Sequence, residues 1–250
     1  MKPALGYKRA NSLISWQQIP AGEELKAKEN RIISERLKLS FGHHLLKIGA
    51  LASELDCSDC LIEHQINLCP QSSAHLSVGI IAEFDDLPLQ NNAIDTVLLT
   101  HVLEYSVDPH HVLREAHRVL LPNGTLILSV FNPWSLLIIG RWWPFKRHSE
   151  FWLSRLFGIP RIKDWLHLLG FEIIDLNYEC YSSFLSSSNK VKQGWLAKLV
   201  GRFIPQLGSV CVIVARKREW PLTPIRPRLR YRTSFSPAVR SASVNSLIKD

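Results

Sequence analysis

The chain has 250 residues, 46% hydrophobic and 21% charged, which is ordinary globular usage and leaves enough apolar mass for a sizeable core. No apolar run approaches the ~20 residues of a membrane-spanning helix, and Met1 to Pro20 lacks the apolar stretch and small-residue cleavage site of a secretory signal, so a cytoplasmic location is expected. The net charge of +8 would suit an anionic partner, but much of the excess follows Ala215, in residues such as Arg216, Lys217, Arg226 and Arg228, so nucleic acid is not the expected ligand.

Residues 1–40 read as a leader with a helical stretch from Gly22 to Leu39, rich in Glu, Lys, Ala and Leu. From Phe41 the pattern becomes strand-and-helix alternation. His44 to Ile48 is a short apolar strand ending at Gly49; Ile62 to Leu68 and Gly79 to Glu83 are the next two. Ala93 to Thr100 is almost continuously apolar, as a strand covered on both faces should be. Asp108-Pro109 opens a helix with an N-cap and a first-turn proline. Val112, Leu113, Ala116, Val119 and Leu120 give that helix an apolar stripe, and Pro122-Asn123-Gly124 stops it. Thr125 to Val130 is a strand, Arg161 to Leu169 a helix, and Phe171 to Leu176 and Ser209 to Ala215 two more strands.

This alternation predicts an α/β domain over residues 41–218, a three-layer sandwich around a mostly parallel sheet. Such sheets bind ligands beyond the carboxyl ends of their strands, so a site is expected after Ile48, Ile81 and Leu99. Residues 219–250, rich in Pro, Arg and Ser without apolar periodicity, read as a disordered basic tail.

Between Glu83 and Pro133 the order and spacing of several pieces is distinctive. They are Asp86-Leu87-Pro88-Leu89, Ile94-Asp95, His101-Val102-Leu103-Glu104, Asp108-Pro109, Leu113-Arg114-Glu115, Arg118-Val119-Leu120 and Pro122-Asn123-Gly124. Together they resemble the middle of class I S-adenosylmethionine-dependent methyltransferases, of the large family that includes ubiquinone- and menaquinone-pathway enzymes. Trp16 to Lys217 is also similar to a smaller bacterial group of uncharacterised methyltransferase-like proteins, most of all along Phe41 to Gly49.

The resemblance implies a Rossmann-like seven-stranded sheet and S-adenosyl-L-methionine as cofactor. It also implies cofactor contacts at Gly49, Ala50, Asn67, Glu83, Phe84, Asp85, Thr100 and His101. Gly49 matches the first glycine of a loop that lies against the methionyl part of the cofactor, although Ala50 to Ser53 supply no further glycine. Lys47 stands where the family usually has an acid. Asn67 is the nearest polar candidate for the ribose carboxylate at the end of the second strand. Glu83 matches an acid that often accepts from the adenine amino group, with Phe84 beside the ring. The implied activity is methyl transfer to a small or apolar acceptor; the alternative is a degenerate methyltransferase-like binding or scaffold protein.

His101, at the carboxyl end of a strand, is the candidate general base; packing of the loop is the competing role. Cys57, Cys60, His64 and Cys69 have metal-like spacing, but strand alternation would splay them, so no metal is expected. The adjacent pairs His43-His44 and His110-His111 make poor metal sites for the same reason. Arg114, Glu115 and Arg118 read as a surface ion-pair set. The insertion at residues 131–160 carries aromatic and basic residues over 134–147, and reads equally as a lid over an apolar acceptor, with possible peripheral membrane contact, or as a core-packing helix.

Overall fold

The computed structural model describes residues 13–19, 22–71, 79–135, 154–179 and 208–219. The lid-like insertion falls largely outside them, as does the basic tail.

The described residues form one seven-stranded sheet in the order β3-β2-β1-β4-β5-β7-β6. Its strands are β1 His44–Ile48, β2 His64–Cys69, β3 Ile80–Ile81, β4 Ile94–Thr100, β5 Leu120–Phe131, β6 Phe171–Glu179 and β7 Val210–Lys217. β3, β2, β1, β4 and β5 run parallel, while β7 is antiparallel to both β5 and β6. The helices are α1 Gly22–Leu37, α2 Ala50–Ser53, α3 Pro109–Val119 and α4 Ile159–Leu168, preceded by a 3-10 turn at Trp16–Gln18.

Strand alternation divides the core into two faces. Along β4, Val97 and Leu99 pack with Val112, Leu113, Ala116 and Val119 of α3 and with Ile162, Trp165 and Leu166 of α4. Leu98 packs on the other face with Trp16, with Leu25, Ile33 and Leu37 of α1, and with Leu51 of α2. Buried residues of α1 recur at Leu25, Glu29, Ile32, Ile33 and Leu37, the spacing of one helical face. The stretch read as a leader therefore supplies one wall of the core. Trp16 is fully buried, and its indole Nε1 donates to the Leu51 carbonyl at 3.0 Å.

The expected cap of α3 is present: Asp108 Oδ1 accepts from His110 N at 3.0 Å and His111 N at 3.2 Å. The helix ends at Val119, where Leu120 already pairs with Ile94. Pro122-Asn123-Gly124 is a bulge inside β5, with Asn123 at φ 64°, before pairing resumes at Thr125 with Thr96.

Candidate active site

The strand order reverses between β1 and β4, which lie side by side while their connections diverge toward β2 and β5. The crevice at their carboxyl ends is where open α/β sheets bind ligands. Gly49 stands there with φ 100° as the N-cap of α2. A Cβ on it would lie 2.8 Å from Val102 Cγ2 and 3.6 Å from the Thr100 carbonyl. Glycine is thus required twice, for its backbone angle and for the close approach of the β1 and β4 tips. Ala50 begins α2 at once, and Leu51 and Ala52 turn into the core beneath α1, so Leu51 packs with the Trp16 group.

The β2 side differs from the sequence expectation. The register pairs Lys47 with Asn67 and Ile48 with Leu68, so Asn67 lies within the sheet and not at the strand tip. Cys69 ends β2, with its Sγ 3.6 Å from Ser53 Oγ, and burial pushes its thiol up against the opposing hydrogen bond from Ser53. A thiol whose neutral form burial favours therefore stands at the tip of β2. Lys47 is buried and donates from Nζ to the Leu55 carbonyl at 3.4 Å, below α2.

Beyond β3, Glu83, Phe84 and Asp85 line a shallow, open hollow of ≈ 50 Å³ with Ser106, Val107 and Val112. Glu83 is exposed, whereas Phe84 packs into the core and shows only an edge. The loop is fastened to α3 by Glu115 and Arg118, two of the three residues that the sequence suggested formed a surface ion-pair set. Glu115 Oε2 accepts from Leu87 N at 3.1 Å, and Arg118 donates to the carbonyls of Leu87 and Leu89, each at 2.8 Å. The Arg118 hydrogen bond leads in holding the Glu115 carboxyl below its ordinary range, against the effect of burial.

The β4 tip carries a buried polar network. His101 has φ 52°, a left-handed conformation uncommon outside glycine. Its Nε2 lies 2.8 Å from Glu29 Oε1 and its Nδ1 3.2 Å from Glu104 Oε1, with all three side chains completely buried. Ser129 Oγ donates to Glu29 Oε2 at 2.5 Å, and Phe131 N donates to Glu104 Oε1 at 2.7 Å. The imidazole stacks on Phe131 at 3.7 Å and meets the edge of Trp16 at 5.9 Å. Burial alone would lower its pKa, but the Glu29 charge and the two carboxylate hydrogen bonds outweigh this and raise it to about 9. His101 is therefore an imidazolium at neutral pH with both nitrogens committed. The base role suggested by the sequence does not fit this geometry; the ring anchors α1 to the β4 tip. Thr100, in register with Ser129, has a buried Oγ1 without a hydrogen-bond partner among the described residues.

The structure thus brings Gly49, Thr100 and Val102 together at the switch point and groups Glu83 with Phe84 and Asp85 in the hollow. Glu29 and Glu104 were missed by sequence reasoning. Glu104 was inside the quoted motif, and Glu29 was detectable only as a carboxylate in the apolar stripe of a helix. Among the described residues no group of three or more His, Cys, Asp or Glu is placed to hold a metal ion. Cys57, Cys60 and Cys69 are free thiols.

The sheet order, the reversal between β1 and β4 and the glycine-tipped first strand define the class I S-adenosylmethionine-dependent methyltransferase fold. A family model described as a methyltransferase domain matches residues 44–128. A methyltransferase from Archaeoglobus fulgidus, described as S-adenosylmethionine-dependent, superposes with TM-score 0.54 at 18% identity, over 78% of this chain and 94% of that one. The [4+2]-cyclase SpnF superposes with TM-score 0.53 at 17% identity, over 86% of each chain. The uncharacterized protein YafS of Escherichia coli is 36% identical over 223 residues, 89% of this chain and 88% of YafS. The chain belongs to the same methyltransferase-like family as YafS.

Proposed function

We propose that the protein is a cytoplasmic S-adenosylmethionine-dependent methyltransferase acting on a small or apolar acceptor. The observation that carries this reading is Gly49, whose left-handed backbone and missing Cβ keep the β1 tip against Thr100 and Val102 at the switch point. The residues fit the cofactor at two of three places. The Gly49 backbone would lie against the methionyl part, and Glu83 would accept from the adenine amino group in the hollow it shares with Phe84 and Asp85. At the ribose end the tip of β2 carries Cys69, a weaker hydrogen-bond partner than the carboxylate the family usually has there.

When bound, the cofactor supplies a methyl group on a sulfonium that is already an activated leaving group. The chain then has only to align the acceptor and exclude water. No side-chain nucleophile is needed, and with His101 held as a cation the acceptor proton is lost to solvent once the methyl group has transferred. In this reading the aromatic and basic residues of the 134–147 segment cover an apolar acceptor, with contact to a membrane surface as a further use. No helix among the described residues is long and apolar enough to cross a membrane.

A second reading, a binding or scaffold protein that has lost the cofactor, is favoured by Cys69, by buried Lys47, and by α2 starting directly at Ala50. The fold alone does not decide, as a cyclase with the same architecture illustrates. Calorimetric titration with S-adenosylhomocysteine separates the two. One equivalent bound supports the transferase; no heat at high micromolar ligand leaves only the scaffold reading.

A further inference from the structure

His44 opens β1 and His64 opens β2, and the register places them directly opposite each other. In-register residues of neighbouring strands project to the same face, so these rings meet although they lie 20 residues apart. Their Nδ1 atoms are 2.7 Å apart and the ring planes are inclined at 77°. At that distance one Nδ1 donates and the other accepts. The pair sits at the amino ends of the strands, remote from Gly49, with His64 exposed and His44 half-buried.

The backbone beneath the pair is fixed. Asp95 Oδ2 accepts from His43 N at 2.8 Å and from His44 N at 3.0 Å. Gly42, at φ 144°, makes room for that carboxylate, since a Cβ there would collide with the Asp95 side chain. His44 is thus presented to its neighbour from a braced strand end.

We infer that His44 and His64 form a two-nitrogen chelate for a divalent transition-metal ion, Cu(II) before Ni(II). Neutral imidazole is a good ligand for both ions, and copper binds more tightly in the general affinity order. Two nitrogens about 2.0 Å from one ion at a right angle are about 2.9 Å apart, and about 3.3 Å apart at a tetrahedral angle. The observed 2.7 Å is a hydrogen-bond distance, and it already brings the two nitrogens to about the separation that one ion spans. On binding, the proton shared between the rings moves through solvent to the donor ring's Nε2. The ligating rings are then neutral imidazoles, with both Nδ1 lone pairs turned to the ion. No third protein ligand joins them among the described residues, so water fills the remaining positions.

The test is a titration of the untagged full chain with Cu(II), and separately Ni(II), followed by calorimetry and by electron paramagnetic resonance of the copper. One equivalent of copper with nitrogen couplings is expected. His64→Ala and His44→Ala should each weaken binding by about tenfold or more, since losing even an outer partner of a metal ligand costs about that much. His64→Gln, which removes the nitrogen pair but keeps a polar side chain at an exposed strand end, guards against a folding artefact. The proposal is overturned by no copper binding, or by binding unchanged in the His64 variants, which would place the ion on other histidines such as His110 or His111. S-adenosylhomocysteine binding should be indifferent to these substitutions.

Discussion

Glu29 Oε1 lies 2.8 Å from His101 Nε2, joining the middle of α1 to the tip of β4 across 72 residues of sequence, with both side chains completely buried. This contact places a charged group under the helix that covers one face of the sheet, next to the crevice bounded by Gly49 and Thr100. Buried ion pairs of this kind cost desolvation to form, and breaking one leaves an uncompensated charge.

Stability should fall in alkaline solution because of His101. Its pKa is raised from 6.5 to about 9, so the folded state binds its proton more tightly than the unfolded chain does. The contribution is complete below pH 6.5 and is lost as pH rises through about 9, with an upper size of roughly 3 kcal/mol. Urea unfolding of the wild type and of His101→Asn between pH 6 and 10 measures it. Asn tolerates the left-handed backbone, and the difference between the two proteins should shrink as pH rises.

Glu29→Gln keeps the shape of the side chain but removes its charge. The loss should be roughly 3 kcal/mol in chemical denaturation at pH 7, because the imidazolium keeps a single carboxylate, Glu104. The histidine of this variant should also titrate lower by proton NMR. An unchanged His101 titration would show that the Glu29 charge does not set it.

Gly49→Ala should damage both folding and ligand binding. The new methyl would sit 2.8 Å from Val102 Cγ2 on a backbone at φ 100°. A non-glycine residue held at φ 100° and ψ 152°, a region essentially reserved for glycine, costs about 1–3 kcal/mol by itself. Thermal melts report that loss, and calorimetry with S-adenosylhomocysteine should show binding falling further than the melting temperature predicts. Equal binding in the variant would remove Gly49 from the cofactor site.

Glu83→Gln should leave stability within about 0.5 kcal/mol of wild type, as expected for an exposed loop side chain. Its effect should appear in affinity for S-adenosylhomocysteine, reduced about tenfold or more if a charge-assisted hydrogen bond to the adenine is lost. Methylthioadenosine, which retains the adenine but lacks the amino-acid part, should show the same proportional loss.

Much of the architecture was legible in the amino-acid order. The apolar run of Ile94 to Thr100, the Asp108-Pro109 helix start and the Leu113 to Val119 stripe are local signals, and each element formed within a few residues of its expected place. Gly49 at the end of the first strand was legible too, since its place follows directly from where that strand stops.

The sequence alone determined the alternating elements, the methyltransferase-like order of motifs and the glycine at the crevice. Tertiary structure decided which polar side chains stand where. Cys69, and not Asn67, ends β2 because strand pairing sets register, and a shift of one residue exchanges the two faces of a strand. His101 became a buried cation because Glu29 reaches it from a helix 72 residues earlier, and local sequence carries no information about a charge brought in from such a distance. His44 found its partner in His64 for the same reason: neighbours within a strand point apart, and only the adjacent strand supplies a ring on the same face.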